Sequence, residues 1–187
     1  MRQEHNLWKG IVAGVAGGLA ASWVMNQFQS WWSRSTYGIE RSHGAQSLQQ
    51  GLPQRGVARV LQASGSDQEK DDATMRTASA VSERLFGTRL TEAEKETGGT
   101  VAHYAMGATS GAVYGVLAEW LPVTTAGAGL PFGAAVWIIA DEGILPALGL
   151  SKSAKDYPPL IHVYAFTSHL VYGLATEFGR RAVRRVL

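Results

Sequence analysis

The chain contains no cysteine, and only 17% of its 187 residues are charged, whereas about 25% is usual for a soluble domain. The absence of cysteine excludes disulfide bonds, iron–sulfur clusters and thiolate zinc sites. No segment alternates clearly between apolar and polar residues, which argues against Rossmann-type and barrel enzymes. No P-loop, His-Glu-x-x-His motif or nucleophile elbow occurs, so the sequence predicts no enzymatic activity.

The few charges are concentrated in one section of the chain. Residues 29–100 contain nine basic and nine acidic side chains, whereas the other 115 positions share 14 charges. Outside that section lie four uncharged stretches of 20 to 24 residues, and a helix needs about 20 residues to cross the hydrocarbon core of a bilayer. The stretches are Gly10–Ser33, Thr97–Ala118, Trp120–Ala140 and Tyr157–Thr176. We therefore predict an all-α integral membrane protein.

Four transmembrane helices follow from these stretches, with prolines at the connections. They are predicted at about Trp8–Phe28, Val101–Leu121, Gly129–Leu148 and Pro159–Phe178. Residues 1–28 then form the N-terminus and the first transmembrane helix, and residues 29–100 form a polar external segment. Residues 101–187 contain the other three transmembrane helices and a basic C-terminal tail. The lipid bilayer is the first predicted partner.

An even number of spans places both termini on the same side of the membrane. Four arginines follow the last span, whereas the short outer loop carries two lysines, Lys152 and Lys155. Because basic flanks mark the cytoplasmic side, both termini are predicted to be cytoplasmic. The same arginines explain the net charge of +2 and the pI near 9.0, so no nucleic-acid partner is predicted. They are Arg180, Arg181, Arg184 and Arg185.

The external segment contains two kinds of sequence. Gln50–Gln68 is rich in Gly, Gln and Ser, which predicts partial disorder. Residues 72–86 are predicted as a short amphipathic helix that lies along the membrane surface, because their apolar residues recur at helical spacing. Thr91 followed by Glu94 fits a capping box, so the helix of the second span is predicted to begin there, outside the membrane.

Glycine recurs every four residues on one face of each of the first two spans. The six positions are Gly10, Gly14, Gly18, Gly107, Gly111 and Gly115. Lipid supplies little hydrophobic drive between helices, so close backbone approach must hold them together. Three interpretations stay open: packing within the helix bundle, a homodimer seam, and the ordinary glycine content of membrane helices.

Five ionisable side chains lie inside the predicted spans. They are His103, Asp141, Glu142, His162 and His169. A charged group at bilayer depth costs a few kcal/mol and persists when it is paired or functional. At a rise of ~1.5 Å per residue, His169 and the two acids lie ~13–17 Å below the outer surface, and the other two histidines ~5–6 Å below it. All five are therefore predicted in the outer half of the membrane.

Helix geometry constrains the partners of these side chains. His162 and His169 are seven residues apart, so they share one stripe of the fourth span. Successive residues of an α-helix differ by about 100°, so Asp141 and Glu142 cannot face the same direction. One acid is predicted to meet His169 and the other a different helix. Pro146 lacks an N–H, which frees the carbonyl of Glu142 and predicts a kink.

Four interpretations fit the cluster. A buried His–carboxylate network can simply fix the register of the helices. A proton or ion site can use a desolvated carboxylate with His169 as its relay. A metal site can combine imidazole and carboxylate ligands, which suits iron, zinc or manganese and makes all five residues candidates. A haem needs two histidines on opposite sides of its ring, and His103 facing His162 would supply them. The simplest expectation is that no cofactor is bound.

Two further acids have plainer interpretations. Glu177 precedes Arg180 and Arg181 by three and four residues, which predicts an ion pair on the helix surface. Glu119 lies beside Trp120 at the inner interface and is predicted to be hydrated.

The sequence resembles the YagU-like family of bacterial inner-membrane proteins, which has no established biochemical activity. The resemblance covers the four spans and little of residues 35–70. It is carried by His103 through Gly107, Gly111, Tyr114-Gly115, Glu119, Asp141-Glu142-Gly143, Pro146, Leu148-Gly149-Leu150, His162 and Ser168 through Gly173. It implies a location in the bacterial inner membrane and a loose link to acid tolerance, which favours the proton interpretation. Relatives often carry an acid at the position of Asn26, and its absence here weakens that interpretation.

The leading functional hypothesis is a small inner-membrane protein whose Asp141, Glu142 and His169 stabilise the bundle and sense or pass protons or ions. The alternative is an accessory or structural subunit of a larger membrane complex, which uses the glycine faces and the external segment for docking. A haem- or metal-carrying protein is the third possibility.

Overall fold

The computed structural model describes residues 6–35, 73–151, 155, 157 and 159–187, and within them it contains helices and no strands. In chain order, α1 is Leu7–Ser35, α2 is Ala73–Phe86 and α3 is Glu92–Trp120. A 3₁₀ segment, Pro122–Gly129, leads into α4, which runs without a break through Leu130–Val136, Trp137–Ile144 and Leu145–Ala147. The last helix, α5, is Pro159–Val186. The predicted disorder of Gln50–Gln68 falls outside the described residues.

Two helical stretches are long and apolar enough to cross a membrane. They are Leu7–Trp32, which is most of α1, and Pro122–Ala147, which is the 3₁₀ segment with α4. The all-helical fold is thus confirmed, together with two of the helices that the sequence predicts to be apolar and long. The apolar runs of α3 and α5 are interspersed with glycine, serine, threonine, histidine and tyrosine.

The glycines of α1 pack directly on the glycines of α3. A Cβ atom added at Gly14 would lie 2.1 Å from the carbonyl oxygen of Gly111, and one added at Gly18 would lie equally close to that of Gly107. A Cβ at Gly10 would lie 2.8 Å from the carbonyl oxygen of Gly115. The two ladders therefore run antiparallel and contact each other within one chain, so a homodimer is not needed to explain either of them.

Glycine also brings α5 close to its two neighbours. A Cβ at Gly17 of α1 would lie 2.6 Å from the carbonyl oxygen of Thr176, and one at Gly133 of α4 would lie 2.1 Å from that of His169. Gly129 reaches the same seam with a left-handed backbone, φ 88°, which favours glycine. Helix α5 is thus in backbone contact with α1 on one side and with α4 on the other.

Helix α2 forms close to the predicted bounds and packs on the beginning of α3. Its first residues, Ala73 to Met75, are buried, and a Cβ at Gly98 would lie 2.8 Å from that of Ala78. The outer end of the predicted apolar face stays uncovered, since Leu85 is 72% exposed. Because its first turn is covered by α3, the contacts that position α2 come from the protein itself.

The predicted capping box at the start of α3 is confirmed. The backbone N–H and the hydroxyl of Thr91 each donate to a carboxylate oxygen of Glu94 at 2.8 Å, and the Glu94 N–H donates back to Thr91 Oγ1 at 3.4 Å. These bonds lower the pKa of Glu94, the backbone bond most. A lowered pKa stabilises the folded helix above the usual titration range of a glutamate, and this stabilisation is lost as the pH falls through the lowered pKa.

Replacing Thr91 tests how much the capping box stabilises the start of α3. We expect Thr91→Ala to destabilise the first turn of α3 by about 1 kcal/mol, because it loses the side-chain bond to the Glu94 N–H. Faster amide hydrogen exchange at residues 92–95 is the readout. In Glu94→Gln, the amide oxygen keeps an acceptor for Thr91, so we expect exchange protection that no longer declines in acid. Equal acid sensitivity in the wild type and in this control would contradict the assignment.

Candidate functional site

The two acids of α4 lie in a stretch of π-helix, Trp137–Ile144. Its i→i+5 bonding is seen at its end, where the Leu145 N–H donates to the Ala140 carbonyl. The distortion ends at Ile144, two residues before Pro146, so an irregularity occurs where the sequence predicts one. It takes the form of a widened turn rather than a kink at a single carbonyl. Single π-turns inside α-helices occur frequently at functional sites.

Both acids meet histidines of α5. Glu142 Oε1 lies 2.9 Å from His162 Nδ1, and Asp141 Oδ2 lies 3.7 Å from His169 Nδ1. The prediction that one acid faces a different helix is wrong. A π-turn contains more residues than an α-turn, so successive side chains diverge less and two neighbours can face the same helix.

The His169 ring has a defined orientation. Its Nδ1 lies 2.9 Å from the carbonyl oxygen of Ala165, and because a carbonyl can only accept, this nitrogen carries a hydrogen. The same nitrogen lies 3.7 Å from Asp141 Oδ2, which is longer than a hydrogen bond. His169 is therefore held by its own helix and paired electrostatically with α4.

The two pairs differ in their access to the surroundings. The side chains of His169 and Asp141 are 10% and 14% exposed, whereas those of His162 and Glu142 are 27% and 22% exposed. The ring of His162 packs edge-on against Trp137, with 6.3 Å between the ring centres. We call Asp141 with His169 the inner pair and Glu142 with His162 the outer pair.

His103 extends the cluster to the third helix. It is 8% exposed, lies against the backbone of Ser22, and is close enough to His169 for their charges to interact. Its ring meets that of Tyr104 edge-on at 5.8 Å. The structure thus brings His103 near the inner pair, while His162 belongs to the outer pair.

The metal and haem interpretations can be compared with these positions. Among the described residues, no three or more His, Asp or Glu side chains come together as a metal site would require. His162 binds Glu142 and packs on Trp137, whereas His103 packs on Tyr104 and Ser22. The two histidines thus have separate surroundings rather than a shared face for a haem.

A second buried charge cluster lies at the opposite end of α5. The Glu177 side chain is fully buried and accepts two bonds from Arg180, at 2.7 and 3.0 Å, and a third from Arg181. The prediction of a surface ion pair is therefore wrong. The reason is the small residues opposite, because Gly129 and Gly17 let neighbouring backbones close over this turn of α5.

The same end contains a second ion pair. Arg184 donates to Glu119 at 2.6 and 3.3 Å, which raises the pKa of Arg184. The side chain of Glu119 is 11% exposed, so its charge is balanced by Arg184, and its hydration stays a prediction. Lys9 at the start of α1 donates to the carbonyl of Leu187, so the two ends of the described chain meet here.

Comparison with known proteins yields one match. A model of the family described as "Protein of unknown function (DUF1440)" matches residues 77–178. That range is more than half of the chain and contains both His–carboxylate pairs and His103. The narrower YagU-like name is not confirmed by this match. No curated protein and no solved structure matches the chain.

Proposed function

This chain belongs to the DUF1440 family of unknown function, and from that premise we propose that it is a proton-responsive integral membrane protein of the bacterial inner membrane. The observation that carries the proposal is the inner and outer pairs, in which both histidines facing α4 are matched by carboxylates. The proposal assigns no catalysed reaction and no cofactor.

Exposed apolar surface supports a lipid environment. The stretch Pro122–Ala147 is as apolar as a membrane span, yet only 11% of its most apolar window is buried in the protein. Large apolar side chains along it, such as Ile138 and Ile139, are more than half exposed. A helix of this kind needs another apolar medium around it, and lipid supplies one.

Helix directions support four spans with both termini on one side. The glycine contacts make α1 antiparallel to α3. Gly129 lies against Gly173 while Gly133 lies against His169, so α4 is antiparallel to α5. The bond between Lys9 and Leu187 places the two chain ends together. Since Arg180 to Arg185 lie at that end, the positive-inside rule assigns it to the cytoplasm.

The inner and outer pairs make the contact between α4 and α5 sensitive to protonation. Ionised carboxylates and charged imidazoles attract each other strongly where little water screens them. Adding a proton to a carboxylate, or removing one from an imidazole, leaves one partner of a buried pair uncompensated. The contact between α4 and α5 therefore depends on protonation. The alternative role as an accessory subunit loses one of its two supports, since the glycine faces contact each other within the chain.

Trp137 offers a direct readout, because it packs on the His162 ring and a charged imidazole quenches indole fluorescence. We expect purified protein in lipid nanodiscs to show a fluorescence transition between pH ~4 and ~7, the range in which carboxylates and imidazoles titrate. The other five tryptophans are replaced by phenylalanine. In Asp141→Asn/Glu142→Gln, both acids lose their charge, and we expect the transition to shift or disappear.

The matched control is Glu119→Gln, which removes a carboxylate from the opposite end of α5. We expect it to keep the wild-type transition. If the double variant also titrates as the wild type does, the two pairs only hold helices together and the proposal is wrong.

A further inference from the structure

On the C-terminal side of the glycine ladder, the face of α1 that meets α3 becomes polar. Ser22, Asn26 and Gln29 follow Gly18 at helical spacing, and they are 0%, 6% and 1% exposed. Within the described residues, Ser22 Oγ, Asn26 Oδ1 and both amide atoms of Gln29 have no hydrogen-bond partner. We call these three side chains the polar strip.

His103 joins the polar strip to the inner pair. Its Nε2 is also buried and has no partner among the described residues. Its ring lies against Ser22 on the side of α1 and within electrostatic range of His169 on the side of α5. Asn26 Nδ2 donates to the Tyr104 hydroxyl at 3.5 Å, a long bond. The polar atoms thus continue from Gln29 to the inner pair.

Burying so many polar atoms without hydrogen-bond partners is unfavourable in free energy. A buried group without a hydrogen-bond partner costs about 1–3 kcal/mol, and five atoms of the polar strip and His103 are in that state. Buried water commonly solves this problem, since one molecule makes about three hydrogen bonds to such groups.

In the half of the structure that contains the two chain ends, the helices are in direct backbone contact instead. Below Gly18 and Gly107, the backbones of α1 and α3 touch, and Gly133 touches the His169 carbonyl. The Tyr172 hydroxyl that reaches this level is already bonded to Ser110 and to the Gly107 carbonyl, both at 2.8 Å. Among the described residues, two buried side-chain oxygens without partners occur in this half, Tyr114 Oη on α3 and Thr124 Oγ1 in the 3₁₀ segment, and they lie on different elements rather than in a row.

We propose that the polar strip and His103 form a hydrated half-channel that admits protons from the outer side to the inner pair and ends there. This inference rests on the proposed function and makes the chain a sensor of external pH rather than a proton conductor. A proton from external water moves along the waters to the inner pair, where a carboxylate oxygen of Asp141 accepts it, and it returns by the same route.

The charges around the inner pair are all accounted for within the described residues. His169 faces Asp141 from α4 and lies within electrostatic range of His103 from α3. Glu142 acts on the charge of Asp141 and pairs with His162, two turns away from His169 on α5. From α1 the nearby side chains are the neutral Ser22 and Asn26. The response of the inner pair to external pH therefore depends on these ionisable groups together.

The test uses right-side-out proteoliposomes with a pH dye trapped inside, and it follows the inner pair through the infrared carbonyl band of protonated Asp141, identified as the band that Asp141→Asn removes. We expect rapid external acidification to raise this band while the dye reports no more proton entry than protein-free liposomes show. Acidifying only the interior should leave the band unchanged. In Gln29→Met and Asn26→Leu, apolar side chains of similar size replace polar ones, and we expect the response to slow about tenfold or more. Val12→Leu, on the exposed face of α1, is the matched control.

The outcomes separate the two claims. Proton entry that depends on the protein, an equal response to internal pH, or wild-type rates in both strip variants would overturn the half-channel but leave proton response intact. Loss of all response to pH in the wild type would instead overturn the proposed function. Because sidedness is measured in wild-type liposomes, the half-channel stays testable even if a strip variant fails to fold.

Discussion

Gly14→Ala is expected to destabilise the fold by about 1–3 kcal/mol, although alanine is the better helix former. The new Cβ would lie 2.1 Å from the Gly111 carbonyl oxygen and 2.9 Å from the carbonyl carbon, and backbone atoms cannot move aside without separating α1 from α3. The gain in helix propensity, about 1 kcal/mol, offsets only part of this. Thermal unfolding in detergent, followed by circular dichroism, measures the difference.

A control on the same helix isolates the packing effect. Ala20 is exposed, so Ala20→Val adds more volume than Gly14→Ala but contacts no helix, and we expect a change within about 0.5 kcal/mol. Gly111→Ala combined with Gly14→Ala should cost less than the sum of the single changes, because helices already pushed apart have room for the second methyl. Additive effects, or a stable Gly14→Ala, would show that the ladders are not in contact.

The sequence predicts well those features that depend on local residue patterns. The capping box of Thr91 and Glu94 requires two residues three positions apart, and the glycine ladders require a period of four. The five ionisable residues were found because any charge in an apolar run is conspicuous. Their presence follows from the sequence, but which helices meet does not.

The features that were missed depend on contacts between distant segments. Gly17 and Gly129 form no ladder in the sequence, yet they cover the turn of α5 that carries Glu177. The π-helix of Trp137–Ile144 likewise has no simple sequence pattern beyond the proline that follows it, and it contains both acids that meet histidines of α5. The helical spacing of Glu177 and Arg180 correctly predicts an ion pair, but spacing within one helix says nothing about burial.

Glu177→Gln is expected to be the most destabilising single change, at about 3–5 kcal/mol, because it leaves the buried guanidinium of Arg180 without its carboxylate. The Glu177 side chain is 0% exposed and that of Arg180 only 9%. Glu119→Gln breaks the pair with Arg184, whose side chain is 31% exposed, so we expect a smaller loss there. Unfolding in detergent by a chemical denaturant, with both variants under the same conditions, measures the contrast.

The burial of Arg180 also predicts that a second substitution restores the stability lost in Glu177→Gln. Replacing both partners, as in Glu177→Gln/Arg180→Met, removes the uncompensated charge, and replacing a buried pair by uncharged residues is often neutral. We therefore expect the double variant to recover most of the stability that Glu177→Gln loses, which is a coupling that a double-mutant cycle measures directly. An additive loss would mean that Arg180 reaches water once Glu177 is gone. The inner end of α5 would then be open to solvent instead of closed by Gly17 and Gly129.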